Sequence, residues 1–224
     1  MTIDQLCEYR CQVNLNLYDS PNCTRLATQA AAGRHLRVSS MHDTALEVCL
    51  CEDDYTAWLA IEDKSKIEQA KTPYQAISLS RAEIQNRLHK VIAFTLAAMQ
   101  QPNYYLWGGT LGPNYDCSGL MQAAFGSVGI WLPRDSYQQE AFVETQNFAS
   151  LQPGDLIFFG VNDRTTHVGL YLGEGRYIHS SGKEQGRNGI GIDCLSPQGD
   201  SISQSYYEQL RSCGRVVTSY QPLS

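Results

Sequence analysis

The chain has 224 residues, of which 42% are hydrophobic and 18% charged, with a formal net charge of −6. That length allows one large domain or two modest ones, and that apolar share supplies a real core. Seventeen Lys and Arg are scattered without a basic stripe or interleaved aromatics, so no nucleic-acid partner is expected.

No membrane partner is expected either. The longest apolar stretch, Val91 to Met99, is interrupted by Thr95 and falls far short of the ~20 residues of a membrane span. The start, Met1 to Leu6, lacks the basic head and apolar core of a secretory signal, so the protein is expected to be cytoplasmic. Five of the eight cysteines precede residue 52 and three follow residue 116. Odd numbers on both sides of a domain boundary fit free thiols better than a disulfide framework. Zinc ligation in the first part lacks a C-x-x-C pair, and Cys49 and Cys51 are expected on one face of a strand.

Residues 5 to about 72 read as short alternating segments separated by turn signals. These are Leu6 to Cys11, Val13 to Tyr18, Leu36 to Val38, Ala45 to Leu50 and Tyr55 to Leu59, with Asp19-Ser20-Pro21-Asn22 and Asp53-Asp54 between strands. The spacing predicts a small β-barrel over residues 1–75. After a polar connection, Ser80-Arg81-Ala82-Glu83 is a capping box. It opens a predicted helix carrying Ile84, Leu88, Val91, Ile92, Thr95 and Met99. Further helices are predicted over Cys117 to Ser127 and Tyr137 to Glu144. Strands are predicted at Leu156 to Phe159, Thr166 to Tyr171, Arg176 to His179, Gly189 to Leu195 and Arg215 to Thr218. Helices followed by strands define a segregated α+β domain over residues 76–224.

Cys117 stands at the first turn of an amphipathic helix, behind the glycine-rich Trp107-Gly108-Gly109-Thr110-Leu111-Gly112. The orphan amides of a helix start favour an anion and are expected to lower the thiol pKa. A thiol nucleophile needs an imidazole, and the imidazole needs a third group to hold its tautomer. His35, His42 and His89 read as structural. His167 and His179 lie on consecutive strands of a hairpin, with His179 in the place of a more usual Asn or Asp. Cys117, His167 and His179 are also reasonable zinc ligands, but no fourth ligand is evident.

With these residues in hand, the chain from 84 to 220 resembles the NlpC/P60 family of cell-wall cysteine peptidases. The resemblance is carried by Tyr105-Leu106-Trp107-Gly108-Gly109, Asp116-Cys117-Ser118-Gly119-Leu120, Leu132-Pro133-Arg134-Asp135-Ser136, Leu151 to Phe159 and Thr166 to Tyr171. It implies a papain-like fold, with helices packed on an antiparallel sheet, preceded by a bacterial SH3-like domain. By resemblance Cys117 is the nucleophile, His167 the base and His179 its orienter. Tyr105 joins the Cys117 amide as an oxyanion donor, a contribution of ~3–4 kcal/mol.

The family acts on the γ-D-glutamyl bond to meso-diaminopimelate or Lys in peptidoglycan stem peptides, without metal or organic cofactor. An SH3-like domain in front resembles the subgroup that requires a free N-terminal L-Ala, with Tyr55, Asp116, Ser118, Asp135 and Ser136 as substrate contacts. Other readings of these residues are packing for Tyr55 and helix capping for Asp116 and Ser136. A monomeric murein-peptide recycling enzyme is therefore expected. The alternatives are a Cys-His amidase or acyltransferase on the same scaffold, or a non-catalytic peptidoglycan-binding protein.

Overall fold

The computed structural model describes residues 7–223. Met1 to Leu6, and with them the signal-peptide reading and the first residue of the first expected strand, lie outside the described residues. The amino-terminal strands are β1 (Glu8–Cys11), β2 (Leu15–Tyr18), β3 (Leu26–Ala30), β4 (His35–Met41), β5 (Ala45–Leu50), β6 (Thr56–Ala60) and β7 (Ile67–Gln69). They form one antiparallel sheet in the order β3-β2-β6-β5-β4-β1-β7. Alternation buries Leu15 and Leu17 from β2, Leu36 and Val38 from β4, Leu46, Val48 and Leu50 from β5, and Leu59 from β6. Period-two patterning thus builds a single apolar core. Strands β3 and β7 were not legible in the sequence, since β3 carries the polar pair Thr28-Gln29 and β7 has only three residues. Cys49 and Cys51 do not share a strand face, because β5 ends at Leu50.

The second half continues with α1 (Arg81–Gln85), α2 (Leu88–Met99), β8 (Thr110–Leu111), β9 (Asn114–Tyr115), α3 (Cys117–Gly126), α4 (Ser136–Phe142) and β10 (Glu144–Thr145). Then come β11 (Leu156–Val161), β12 (Arg164–Gly173), β13 (Arg176–Ser181), β14 (Gly189–Cys194), α5 (Ser201–Glu208) and β15 (Leu210–Arg215). The six-stranded antiparallel sheet runs β10-β15-β11-β12-β13-β14. α2 and α3 cover one face through Leu88, Val91, Leu120, Met121, Ala124 and Phe125, packed on Leu156, Phe158, Val168 and Leu170.

Besides the two-residue strands β8, β9 and β10, which no pattern signalled, three elements differ from the sequence reading. The helix opened by Ser80 is capped as expected, with its hydroxyl accepting from the Glu83 amide. A turn at Asn86-Arg87 splits it, and the Arg87 guanidinium is tied to Val128 O at 2.8 Å. The last strand is Leu210–Arg215 instead of Arg215 to Thr218. The β-branched run at Val216 signalled a strand, but pairing with β11 ends at Gly214 and Val216 turns into the core. Helix α5 was missed because Ile202 and Tyr206 are its main inward apolar positions. It is capped by Asp200, which accepts from Ser203 N.

The two sheets are joined by side chains reaching across. Gln29 Oε1 accepts from Thr110 N at 3.1 Å and Leu111 N at 3.2 Å. Gln122 Nε2 donates to Asp53 Oδ2 at 2.7 Å. Arg134 Nε donates to Thr28 Oγ1 at 2.9 Å. Among the described residues, no helix is long and apolar enough to cross a membrane.

Candidate active site

The start of α3 is built before its function is considered. Asp116 caps it, accepting from the Gly119 amide at 2.6 Å and, through its other oxygen, from the Gly108 amide at 2.9 Å. The glycine-rich loop therefore lies against the helix start. The approach is so close that a Cβ at Gly119 would stand 2.0 Å from Gly109 O, so only glycine fits. Cys117 is the first helical residue and is 6% exposed. The Val168 and Ser118 backbone amides favour its thiolate form. Helix α3 packs on β12, the strand that carries His167.

Strand β12 pairs with β13, and β13 with β14. His167 Nε2 lies 2.7 Å from His179 Nδ1, and His179 Nε2 lies 2.6 Å from Asp193 Oδ2. His179 spends both ring nitrogens on His167 and Asp193, which leaves it none for a shared zinc ion. Tyr206 from α5 stacks on His167, with ring centroids 4.5 Å apart, and its hydroxyl meets Ser181 Oγ at 2.6 Å. His179 is fully buried and Asp193 is 3% exposed. Arg187 holds both Asp193 oxygens, its Nε donating to Oδ2 at 3.2 Å and its Nη2 to Oδ1. Asp193, Arg187 and Tyr206 were missed in the sequence reading. The one available signal was an acidic residue on the strand after His179.

Burial, reinforced by Asp116, pushes the Cys117 thiol up to about 12 against the Val168 and Ser118 amides. This corrects the expected lowering. The helix start is real, but its first-turn charge is already taken by the Asp116 carboxylate, and the thiol is dry. Burial and His179 together hold His167 well below the usual imidazole range. Both shifts favour the uncharged forms, a thiol at Cys117 and a singly protonated imidazole at His167.

Tyr55, Tyr105, Asp116, Cys117, Ser118, Asp135 and Ser136 line one cavity of about 530 Å³ between the two sheets. His167 opens on a neighbouring cavity of about 500 Å³ that shares Tyr105, Trp107 and Thr166 with the first. Every residue singled out in the sequence therefore lies at this cleft or directly behind it, but not all are equally available. Arg134, 2% exposed, pairs with Asp116 Oδ2 at 2.6 Å and donates to Ser118 Oγ at 3.0 Å. Asp116 and Ser118 are thus engaged within the protein. Asp135 is the N-cap of α4, so Ser136 is not the cap. Among the described residues Asp135 forms no salt bridge, and burial raises its carboxyl against the opposing pull of Arg134. Burial, with Asp135 next in weight, also pushes the Tyr55 hydroxyl up to about 12. Burial and Cys117 raise Tyr105.

Comparison with known proteins agrees with this architecture. Residues 102–211 match the NlpC/P60 family, and residues 17–63 match the bacterial dipeptidyl-peptidase Sh3 domain. The chain carries an NlpC/P60 domain, from a family of cysteine peptidases, behind a bacterial SH3 domain. A gamma-D-glutamyl-L-lysine dipeptidyl-peptidase from Bacillus subtilis is 39% identical over 108 residues, covering 47% of this chain and 33% of that protein. One of the same name from Bacillus cereus is 40% identical over 84 residues, covering 36% and 25%. The matches thus span no more than a third of these relatives' own length. The structure of the peptidoglycan hydrolase RipB from Mycobacterium tuberculosis superposes with a TM-score of 0.50 at 26% identity, covering 62% of this chain and 69% of that one.

Proposed function

We propose that the protein is a cysteine endopeptidase that hydrolyses the γ-D-glutamyl–diamino acid bond of peptidoglycan stem peptides with a free N-terminal L-Ala. The observation that supports the chemistry is Cys117 at the start of α3, which packs on β12, and His167 on β12, its Nε2 2.7 Å from His179 Nδ1. Cys117 Sγ attacks the γ-carbonyl carbon of D-Glu while its proton passes to His167 Nδ1. The Cys117 amide and the Tyr105 hydroxyl donate to the developing oxyanion. His167 then returns the proton to the diamino acid nitrogen, the C–N bond breaks, and a thioester remains. Water, deprotonated by His167, cleaves the thioester, releasing L-Ala-D-Glu and restoring the thiol.

On the amine side, Asp135 and Tyr55 are the groups offered to an ammonium. A carboxylate whose charge is disfavoured in the empty cavity gains most from a cation that replaces lost hydration. Asp116, Ser118 and Ser136 shape this pocket. Such a site goes with released murein peptides, in recycling in the cytoplasm, more than with intact wall. The test is incubation with L-Ala-γ-D-Glu-meso-diaminopimelate, its Lys counterpart and their N-acetylated forms, read by mass spectrometry. Cleavage of the free-amine peptides alone is expected. Cleavage of both forms removes the amine pocket, and cleavage of neither removes the activity. An added amine acceptor that captures the acyl group would show a transferase instead.

A further inference from the structure

Asp193 and Arg187 lie beyond the His167–His179 pair and complete an unbroken hydrogen-bonded chain running outward from it. The ionised Asp193 carboxylate only accepts hydrogen bonds. Burial alone would raise its pKa, but hydrogen bonds from His179 and Arg187 outweigh burial and hold it below the usual carboxylate range. The guanidinium has room to reach it because Gly191 lies opposite His179 on β14. A Cβ there would stand 2.3 Å from Arg187 Nη1.

We propose that Asp193 is a positioning residue that sets the tautomers of both histidines and so leaves His167 Nδ1 as the free base for the Cys117 thiol. A permanent acceptor 2.6 Å from His179 Nε2 requires a proton on that nitrogen. Burial lowers the His179 pKa against the pull of Asp193, which favours a single proton on its ring. Its Nδ1 is therefore bare and accepts from His167 Nε2–H at 2.7 Å. With its own pKa held down by burial and His179, His167 carries that one proton and none on Nδ1. Reversing every proton would give an equally bonded His pair, but His167 Nδ1 would become a donor and useless as a base. Asp193 breaks that symmetry.

Asp193→Asn keeps the volume and tests the assignment. Of the two Arg187 contacts, Nη2 to Oδ1 is closer than Nε to Oδ2, so the new amide keeps its oxygen at Nη2, gives up the longer Nε contact, turns its NH₂ toward His179 and imposes the reversed tautomers. Nitrogen-15 correlation spectra of histidine-labelled wild-type protein are expected to show both His167 and His179 protonated at Nε2. D193N is expected to show both at Nδ1. Alkylation of Cys117 by iodoacetamide is expected to slow about tenfold or more, with the melting temperature little changed. The equivalent loss of tautomer control in a serine-protease triad costs about 10⁴ in kcat.

Wild-type protein with His179 protonated at Nδ1 would overturn the proposal, even if D193N failed to fold. So would D193N with wild-type tautomers, whatever its activity, since Asp193 would then serve only the fold. The proposal rests on Cys117 as nucleophile and His167 as base, but both readouts work without a peptide. Failure to cleave murein peptides would therefore remove the substrate assignment and leave this one standing.

Discussion

The two ends of the cleft are built on different plans. Around His167 every group comes from the second sheet and its helices: β12, β13, β14 and α5 supply His167, His179, Asp193 and Tyr206. The amine end is assembled from both halves. Tyr55 comes from the first, Asp135 and Arg134 from the second, and Arg134 is anchored on Thr28 Oγ1 and Ala27 O across the boundary. Proton-transfer geometry tolerates errors of a fraction of an ångström, which a hydrogen-bonded sheet supplies. Substrate choice tolerates more, and can be left to a junction. The difference implies that changes at the first end cost rate, whereas changes at the second cost stability or selectivity.

The largest expected effect is at the chemical end. Cys117→Ala should abolish turnover of the tripeptide while shifting the melting temperature little, and calorimetry beside the peptide assay checks both. Next is Arg134→Met at the junction. It leaves Asp116 buried without its partner and removes the tie to Thr28 and Ala27, so a loss of about 3–5 kcal/mol is expected in urea unfolding. A loss under about 1 kcal/mol would mean that the junction does not depend on this ion pair. Asp135→Asn is expected to be milder and selective. It should lower kcat/KM for the free-amine peptide by about tenfold to a hundredfold, the worth of a charged hydrogen bond, and leave alkylation of Cys117 unchanged. Equal losses on free and acetylated peptides would dissolve the distinction between the two ends.

A further expectation at the chemical end concerns pH. Because the thiol is pushed up to about 12, its thiolate fraction grows roughly tenfold per pH unit throughout the range below that value. Alkylation of Cys117 should therefore keep rising from pH 6 to pH 10. A plateau across pH 5–8 would reveal a standing thiolate–imidazolium pair instead.

Much of this was legible because the signals are local. Alternation gave most strands of the first sheet, the Ser80–Glu83 box gave a helix start, and motif order placed Cys117, His167 and His179 in one site. What escaped depends on tertiary packing. Arg134 was visible only as a motif letter, although it decides that Asp116 is spent and Asp135 is open. Asp193 meets His179 across a strand pair whose register no local pattern fixes. The thiol pKa was misjudged for the same reason: a helix start is written in sequence, but dryness is not.

Trp107 has a practical consequence. It stands on the rim shared by both cavities, 57% exposed, with the Arg25 guanidinium 4.9 Å from its ring centroid. The other two tryptophans are engaged elsewhere, Trp58 against His42 and Trp131 under Arg34. The molecule therefore contains its own optical gauge: a ligand entering either cavity displaces water and cation from one indole. Emission from unlabelled protein should report occupancy of the cleft in real time.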